Sequence, residues 1–324
     1  MISPAATNSP LLLFACLAIT VSCQRPAHTT APAVQHADTG FQPTVARPAY
    51  RSNGPLILID ASHSNFHTAE GRYKPFAELL RNDGYVVRDN KEGFDAGFAG
   101  ASVFVIANAR GKNEMSDSAA FTPSEIAAVH QFVENGGSLL LVVDHYPFGQ
   151  AARELGAAFG VSITGGMVED SVSYDSSSTD RSQLVFSRSN RLLGNHPITN
   201  GRNSSERLNR VVSFTGTTLA GPPEAVQLLR LSTTALAYKA FPRLEKVGEN
   251  TRVHVGYGNP TPAAGHAQGL AFTVGKGRVV VLGEAGMLTA QIDPTGQAFG
   301  MGVPGTDDKQ FVLNIAHWLA HLLQ

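Results

Sequence analysis

The chain alternates continuous apolar runs with stretches of helical periodicity. Pro55 to Asp60 reads PLILID, an unbroken apolar run closed by turn formers, which is the pattern of a strand covered on both faces. YKPFAELLRNDG then predicts a helix ending at Gly84, and YVVRD a second strand. ASVFVIANA and SLLLVVDHYPFG are two further buried strands. Between them FTPSEIAAVHQFVENGG carries a full set of helix signals: Thr122 as N-cap, Pro123 at the first helical position, Glu125 to complete a capping box and Gly136 at the stop. QAARELGAAFG adds another helix. Alternating buried strands and amphipathic helices predict an α/β fold with a mostly parallel, flavodoxin-like sheet flanked by helices.

From Val161 to Gly265 the pattern loosens into Ser, Thr, Asn and Gly around short strand candidates, RVVSF, VQLLRL and TALAYKAF, an expected antiparallel elaboration on the same domain. Order returns with GLAFTV, a Gly-Lys-Gly turn and RVVVLGE, and a last helix starts at Asp307. On that helix Phe311, Ile315, Trp318 and Leu322 share one face, a packing stripe.

The N-terminus changes the picture from cytosolic to exported. Leu11 to Cys23, LLLFACLAITVSC, has signal-peptide length and is too short to span a bilayer. Its end, Thr20-Val21-Ser22-Cys23, resembles a lipoprotein cleavage box with Cys23 as the lipidated residue, although Thr20 stands where an aliphatic residue is usual and no Lys or Arg precedes the run. The alternative is an ordinary secretory signal. Residues 24–53 are rich in Pro, Ala and Thr without periodicity and predict a disordered tether, with His28 and His36 solvated in it. The domain proper is then 54–324, held at the membrane through the lipid alone and facing the periplasm.

Both cysteines, Cys16 and Cys23, fall in the leader, so the domain has no thiol chemistry and no disulfide. A net charge of -1 shows no basic face for nucleic acid.

IDASHSN after the first strand, FTPSEIAAVHQFVENGGSLLLVVDH, NHPITNG, GKGRVVVLGEAGML and DKQFVLNIAHWLAHLL together resemble the class I glutamine-amidotransferase-like superfamily. The resemblance is closest to a branch of bacterial envelope proteins related to the auxiliary domain of gliding-type ABC transport systems and to the N-terminal domain of an intraflagellar transport protein. It covers Leu56 to the C-terminus and implies an amidotransferase-like fold. In amidotransferases proper a cysteine stands at the turn after the strand matching SLLLVVDH. Here Asp144, His145 and Tyr146 stand there, which excludes cysteine-dependent glutamine hydrolysis.

Ligand crevices of open parallel sheets lie beyond the carboxyl ends of the strands. The polar residues of this chain gather at those ends: Asp60, His63, Asn65 and His67 after the first strand, Asn108, then Asp144 and His145, and Glu284. Two chemistries fit. Asp60, His63, His145 and Glu284 could hold a divalent metal that activates water. Without a metal, His63 or His145 could act as general base, oriented by Asp60 or Asp144, on water or on Ser62 or Ser64. Asn65, His67, Asn108 and Asp144 would contact the ligand. Structural readings compete: Asp60, Asp144 and Glu284 as turn or helix caps, the asparagines as loop ties, His63 and His67 as surface residues. The stretch DSVSYDSSSTDRS has the composition of a surface loop or lid. The expected function is a small-polar-ligand site, with a saccharide or cell-wall fragment suggested by the compartment, hydrolytic if it is an enzyme. The alternative is a non-catalytic scaffold or recognition subunit with an envelope protein partner.

Overall fold

A computed structural model describes residues 35–324 apart from 95–96, 99, 111–117 and 248–249. The leader, Cys23 and residues 24–34 lie outside the described residues.

Nine strands form the main sheet. Five of them are parallel or feed the parallel part: β1 (Leu56–Asp60), β2 (Val86–Asn90), β3 (Ala101–Ala107), β4 (Ser138–Val142) and, late in the chain, Gly277–Leu282. The others, antiparallel, are β5 (Ser162–Ile163), β6 (Leu219–Ala220), β7 (Val226–Arg230) and β8 (Ala267–Val274), so that Gly277–Leu282 becomes β9. Their order is β2-β1-β3-β4-β9-β8-β6-β5, with β7 also paired to β8. The fold is α/β as the pattern predicts, but the sheet is mixed: the looser middle of the chain joins it through β8 and extends it as antiparallel strands.

Buried residues alternate cleanly between the two faces. Ile57, Ile59, Val103, Val105, Leu140, Val142, Val280 and Leu282 face one core with helices α1 (Lys74–Asn82) and α3 (Asp308–Leu319). Leu58, Phe104, Ile106, Leu139, Leu141, Val279 and Val281 face the other, with α2 (Pro123–Glu134). Helix α2 is built as its sequence signals require. The Thr122 side chain accepts from the Glu125 amide, Glu125 returns the bond to the Thr122 amide, and Pro123 occupies the first turn. In α3, Phe311, Ile315 and Trp318 are buried, whereas Leu322 falls beyond the helix. The predicted helix QAARELGAAFG is two short pieces, Phe148–Ala151 and Arg153–Ala158.

The tether expectation needs correcting for residues 35–53. His36–Ala37 pairs with Ala290–Ile292 as a short antiparallel strand, and Phe41, Val45 and Tyr50 pack on the core. Asp83 fastens the segment by accepting from the Ala49 amide at 2.7 Å. Three apolar anchors in a Pro-rich stretch are sufficient to strap it down, and local composition cannot show partners 250 residues away in the chain.

Candidate functional site

The strand-end residues separate into two clusters, for a reason contained in strand geometry. Side chains alternate across a strand, so Asp60 shares the face of Leu58, whereas Asp144 and Glu284 continue the faces of Val142 and Leu282. In addition, β1 and β9 are three strands apart, about 14 Å at the usual spacing. The carboxylates therefore do not share one crevice.

In the first cluster Asp60 is fully buried and its Oδ1 accepts from the Ser62 amide (3.2 Å) and hydroxyl (2.8 Å). Nδ1 of His63 lies 2.9 Å from Asp60 Oδ2, and Nε2 lies 3.0 Å from Glu125 Oε1. The other oxygen of Glu125 accepts from the Thr122 amide and hydroxyl at 2.7 and 2.8 Å. The His63 ring packs between Phe94 and Phe121, with centroids 4.5 and 4.8 Å away. Burial works to lower the His63 pKa, but the hydrogen bonds and charges of Asp60 and Glu125 outweigh it and hold the imidazole above its ordinary value. Asn65 ties the loop by accepting from the His63 amide at 3.1 Å.

This geometry engages both nitrogens of His63 within the protein. Both ring nitrogens face carboxylates, which favour the protonated ring, and in that form it has no lone pair for a proton or a metal. Ser62 and Asp60 also meet the ring at the same nitrogen, with the Ser62 hydroxyl 3.0 Å from Nδ1. Nucleophile activation needs them on opposite nitrogens. Among the described residues no three His, Cys, Asp or Glu side chains are placed to share a metal ion.

The second cluster lies on the opposite face. Both Asp144 and Glu284 are buried. Asp144 accepts from the His145 amide at 2.7 Å and from Asn108 Nδ2 at 3.4 Å. Glu284 caps the single turn Gly286–Leu288, accepting from the Gly286 and Met287 amides at 2.5 and 2.8 Å. Burial raises the pKa of Asp144; burial and then the charge of Asp144 raise that of Glu284. Two carboxyl groups so placed favour keeping a proton between them. Tyr73, which the sequence did not single out, is fully buried beside them and donates to Ala285 O at 3.2 Å. Two acceptor or donor atoms here have no partner among the described residues: Oδ1 of Asn108 and Nδ1 of His67. Burial, assisted by the charge of Arg72, pushes the His67 pKa down to about 3, so its ring is neutral.

His145 stays at the surface, its side chain 38% exposed, with Nδ1 donating to Tyr146 O at 2.9 Å. Its Nε2 is 3.9 Å from Asp144 Oδ1. Nearby, exposed Phe66 lies under the guanidinium of Arg72 at 4.4 Å and packs on Phe148 at 5.4 Å. His196 is not a crevice residue: it is buried, its Nδ1 accepts from the Ile198 amide at 3.2 Å, and it packs on Trp318. In the Ser-rich loop Asp170 accepts from the amides of Val172 and Ser173 and from the hydroxyls of Ser232 and Thr234, which holds its start in place.

No family model matches the chain, and no curated protein matches it. Solved structures do. The mmIFT52 N-terminal domain is 16% identical over 82% of this chain and 97% of its own, with a TM-score of 0.55. A thua-like protein from Parabacteroides merdae is 12% identical over 83% of this chain and 90% of its own at a TM-score of 0.41. One from Bacteroides uniformis is 12% identical over 85% and 95% at 0.36. At these identities the likeness to the mmIFT52 domain is one of fold, an α/β architecture followed over nearly the whole length of that domain.

Proposed function

We propose that this chain is an exported, lipid-anchored recognition domain of the bacterial cell envelope that engages a protein partner without turning over a substrate. The observation that carries the reading is His63, whose two nitrogens are both committed to carboxylates. A hydrolase that used His63 as its base would need a free ring nitrogen, and here both are engaged in holding a loop to the start of α2. The compartment rests on the apolar run ending at Val21-Ser22-Cys23. Kinship with the amidotransferase-like superfamily and its envelope branch rests on the motifs from IDASHSN to DKQFVLNIAHWLAHLL. The test pairs crosslinking of the full chain in envelope fractions with a panel of glycoside, ester and phosphoester substrates on the purified domain. A crosslinked partner with no turnover is expected. Turnover that disappears in His145→Ala would overturn the reading.

A second reading is favoured by the unpartnered Oδ1 of Asn108 and Nδ1 of His67 beside the Asp144 and Glu284 pair. Buried polar atoms without partners cost stability unless water or a ligand satisfies them. In this reading a small polar ligand, a saccharide or cell-wall fragment, reaches them past His145. Calorimetric titration of muramyl and chitin fragments, with and without divalent metal, decides it. Binding that Asn108→Leu abolishes is the expected result, and no heat from any of them rejects it.

A further inference from the structure

At the opposite end of the sheet, where α1 gives way to β2, a cleft of 910 Å³ opens between the strapped N-terminal segment, the loop at 202–206 and α3. That volume lies within the range of small-molecule sites. Two of its lining residues, Asp83 and His317, are buried to 0% and 2% exposure. Nε2 of His317 is 2.7 Å from Asp83 Oδ2, so an N–H points at the carboxylate. Nδ1 is buried and has no partner among the described residues.

What the cleft still offers a ligand follows from what its side chains have already used. Its carboxylates are occupied within the protein. Asp83 accepts from Ala49 and faces His317. Both oxygens of Glu206 accept from Arg202, at 2.6 to 3.0 Å. Asp307 accepts from the Asn209 and Arg210 amides at 2.6 and 2.9 Å. The cations retain donors. Arg47 is exposed and has no hydrogen-bond or ion-pair partner among the described residues. Lys309 donates to Gln42 O at 3.1 Å and to Thr44 Oγ1 at 3.5 Å, which leaves one of the three bonds an ammonium can give. Spare cationic donors call for an anion, and a spare buried imidazole nitrogen calls for a hydroxyl.

We propose that this cleft binds a small hydroxylated oxyanion, a sugar phosphate or sugar acid, with the anionic group at Arg47 and Lys309 and a hydroxyl, which can donate or accept, hydrogen-bonded to Nδ1 of His317. The site is separate from the strand-end clusters and does not depend on their function. It would also place the ligand against the strap, whose residues 44–47 form one wall.

The test is isothermal titration calorimetry of the purified protein with glucose 6-phosphate, galacturonate, glucose and inorganic phosphate, beside long-range nitrogen–proton NMR of the histidine rings. Glucose 6-phosphate or galacturonate, or both, should bind at least tenfold more tightly than glucose and than inorganic phosphate, and should shift the Nδ1 resonance of His317. Arg47→Ala, at an exposed position, should weaken binding at least tenfold and leave the melting temperature unchanged; adding Lys309→Met should weaken it further, with some loss of melting temperature because Lys309 also donates to Gln42 O in the strap. Because His317→Gln removes a buried partner of Asp83 and can unfold the chain, the two cation variants carry the test. Equal binding of glucose or of inorganic phosphate, no binding of either sugar anion, an unmoved His317 signal, or unaltered affinity in the cation variant would each overturn the proposal.

Discussion

His63→Ala removes the imidazole that stands between Asp60 and Glu125, a pair that favours its charged form. Breaking a buried ion pair from one side costs about 3–5 kcal/mol. Asp60 is fully buried, but Ser62 still gives it two hydrogen bonds, and the Glu125 side chain is 20% exposed and retains its cap. The lower end, about 3 kcal/mol, is therefore expected, and with a urea slope near ~3 kcal/mol/M the unfolding midpoint falls by about 1 M. The pH dependence carries the mechanism. Burial opposes the charged imidazole, but Asp60 and Glu125 prevail and the folded pKa of His63 is raised above 6.5. The stabilisation from His63 is thus complete below 6.5 and lost as pH rises through the folded value. Glu125 runs the other way. Burial opposes its charge, but the Thr122 amide and His63 hold its pKa below 4.5, so its share is present above 4.5 and lost as pH falls through the folded value. Urea unfolding at pH 5.5 and pH 9 should therefore show a larger deficit for the variant at pH 5.5. A loss under ~1 kcal/mol, or one equal at both pH values, would refute the bridged imidazolium.

Asp144→Asn should raise stability by about 1 kcal/mol at pH 8 in thermal melts and flatten its pH dependence. The pKa of Asp144 is raised by burial, so its charge destabilises as pH rises, and the unpartnered Oδ1 of Asn108 can accept from the new amide; a lower Tm would count against it. His67→Phe should be neutral or stabilising at pH 7 by calorimetry, because the ring is already neutral and packs on Tyr73 at 4.5 Å; a loss above ~2 kcal/mol would mean Nδ1 has a bound water to lose. Deleting residues 35–50 should lower Tm by several degrees through the lost packing of Phe41, Val45 and Tyr50, and an unchanged Tm would return the segment to the status of a tether.

The parallel half of the sheet could be read directly, because each buried strand announces itself as an apolar run and each helix by its caps. The separation of the site was also present in the sequence, in the parity of Asp60 with Leu58 against Asp144 with Val142, yet proximity to strand ends alone concealed it. Glu125 was readable as a capping residue but not as the partner of His63, since that bond joins residues 62 apart in the chain. The strap escaped notice for the same reason: its stabilising contacts are all long-range, while its composition is that of a linker. The Asp83 and His317 pair joins positions 234 residues apart, and no local pattern marks it.

Glu125 serves two elements at once, with one oxygen on the Thr122 cap and the other on His63. Loop and helix end are therefore not separable modules. Fraying of the first turn of α2 carries Glu125 away from the His63 ring, and a loop from Ala61 to Asn65 that swings out leaves Glu125 with its Thr122 cap but without its partner. In the language of native-state hydrogen exchange their openings are coupled, and His63→Ala should lower the protection of the Glu125 amide, which sits 62 positions away.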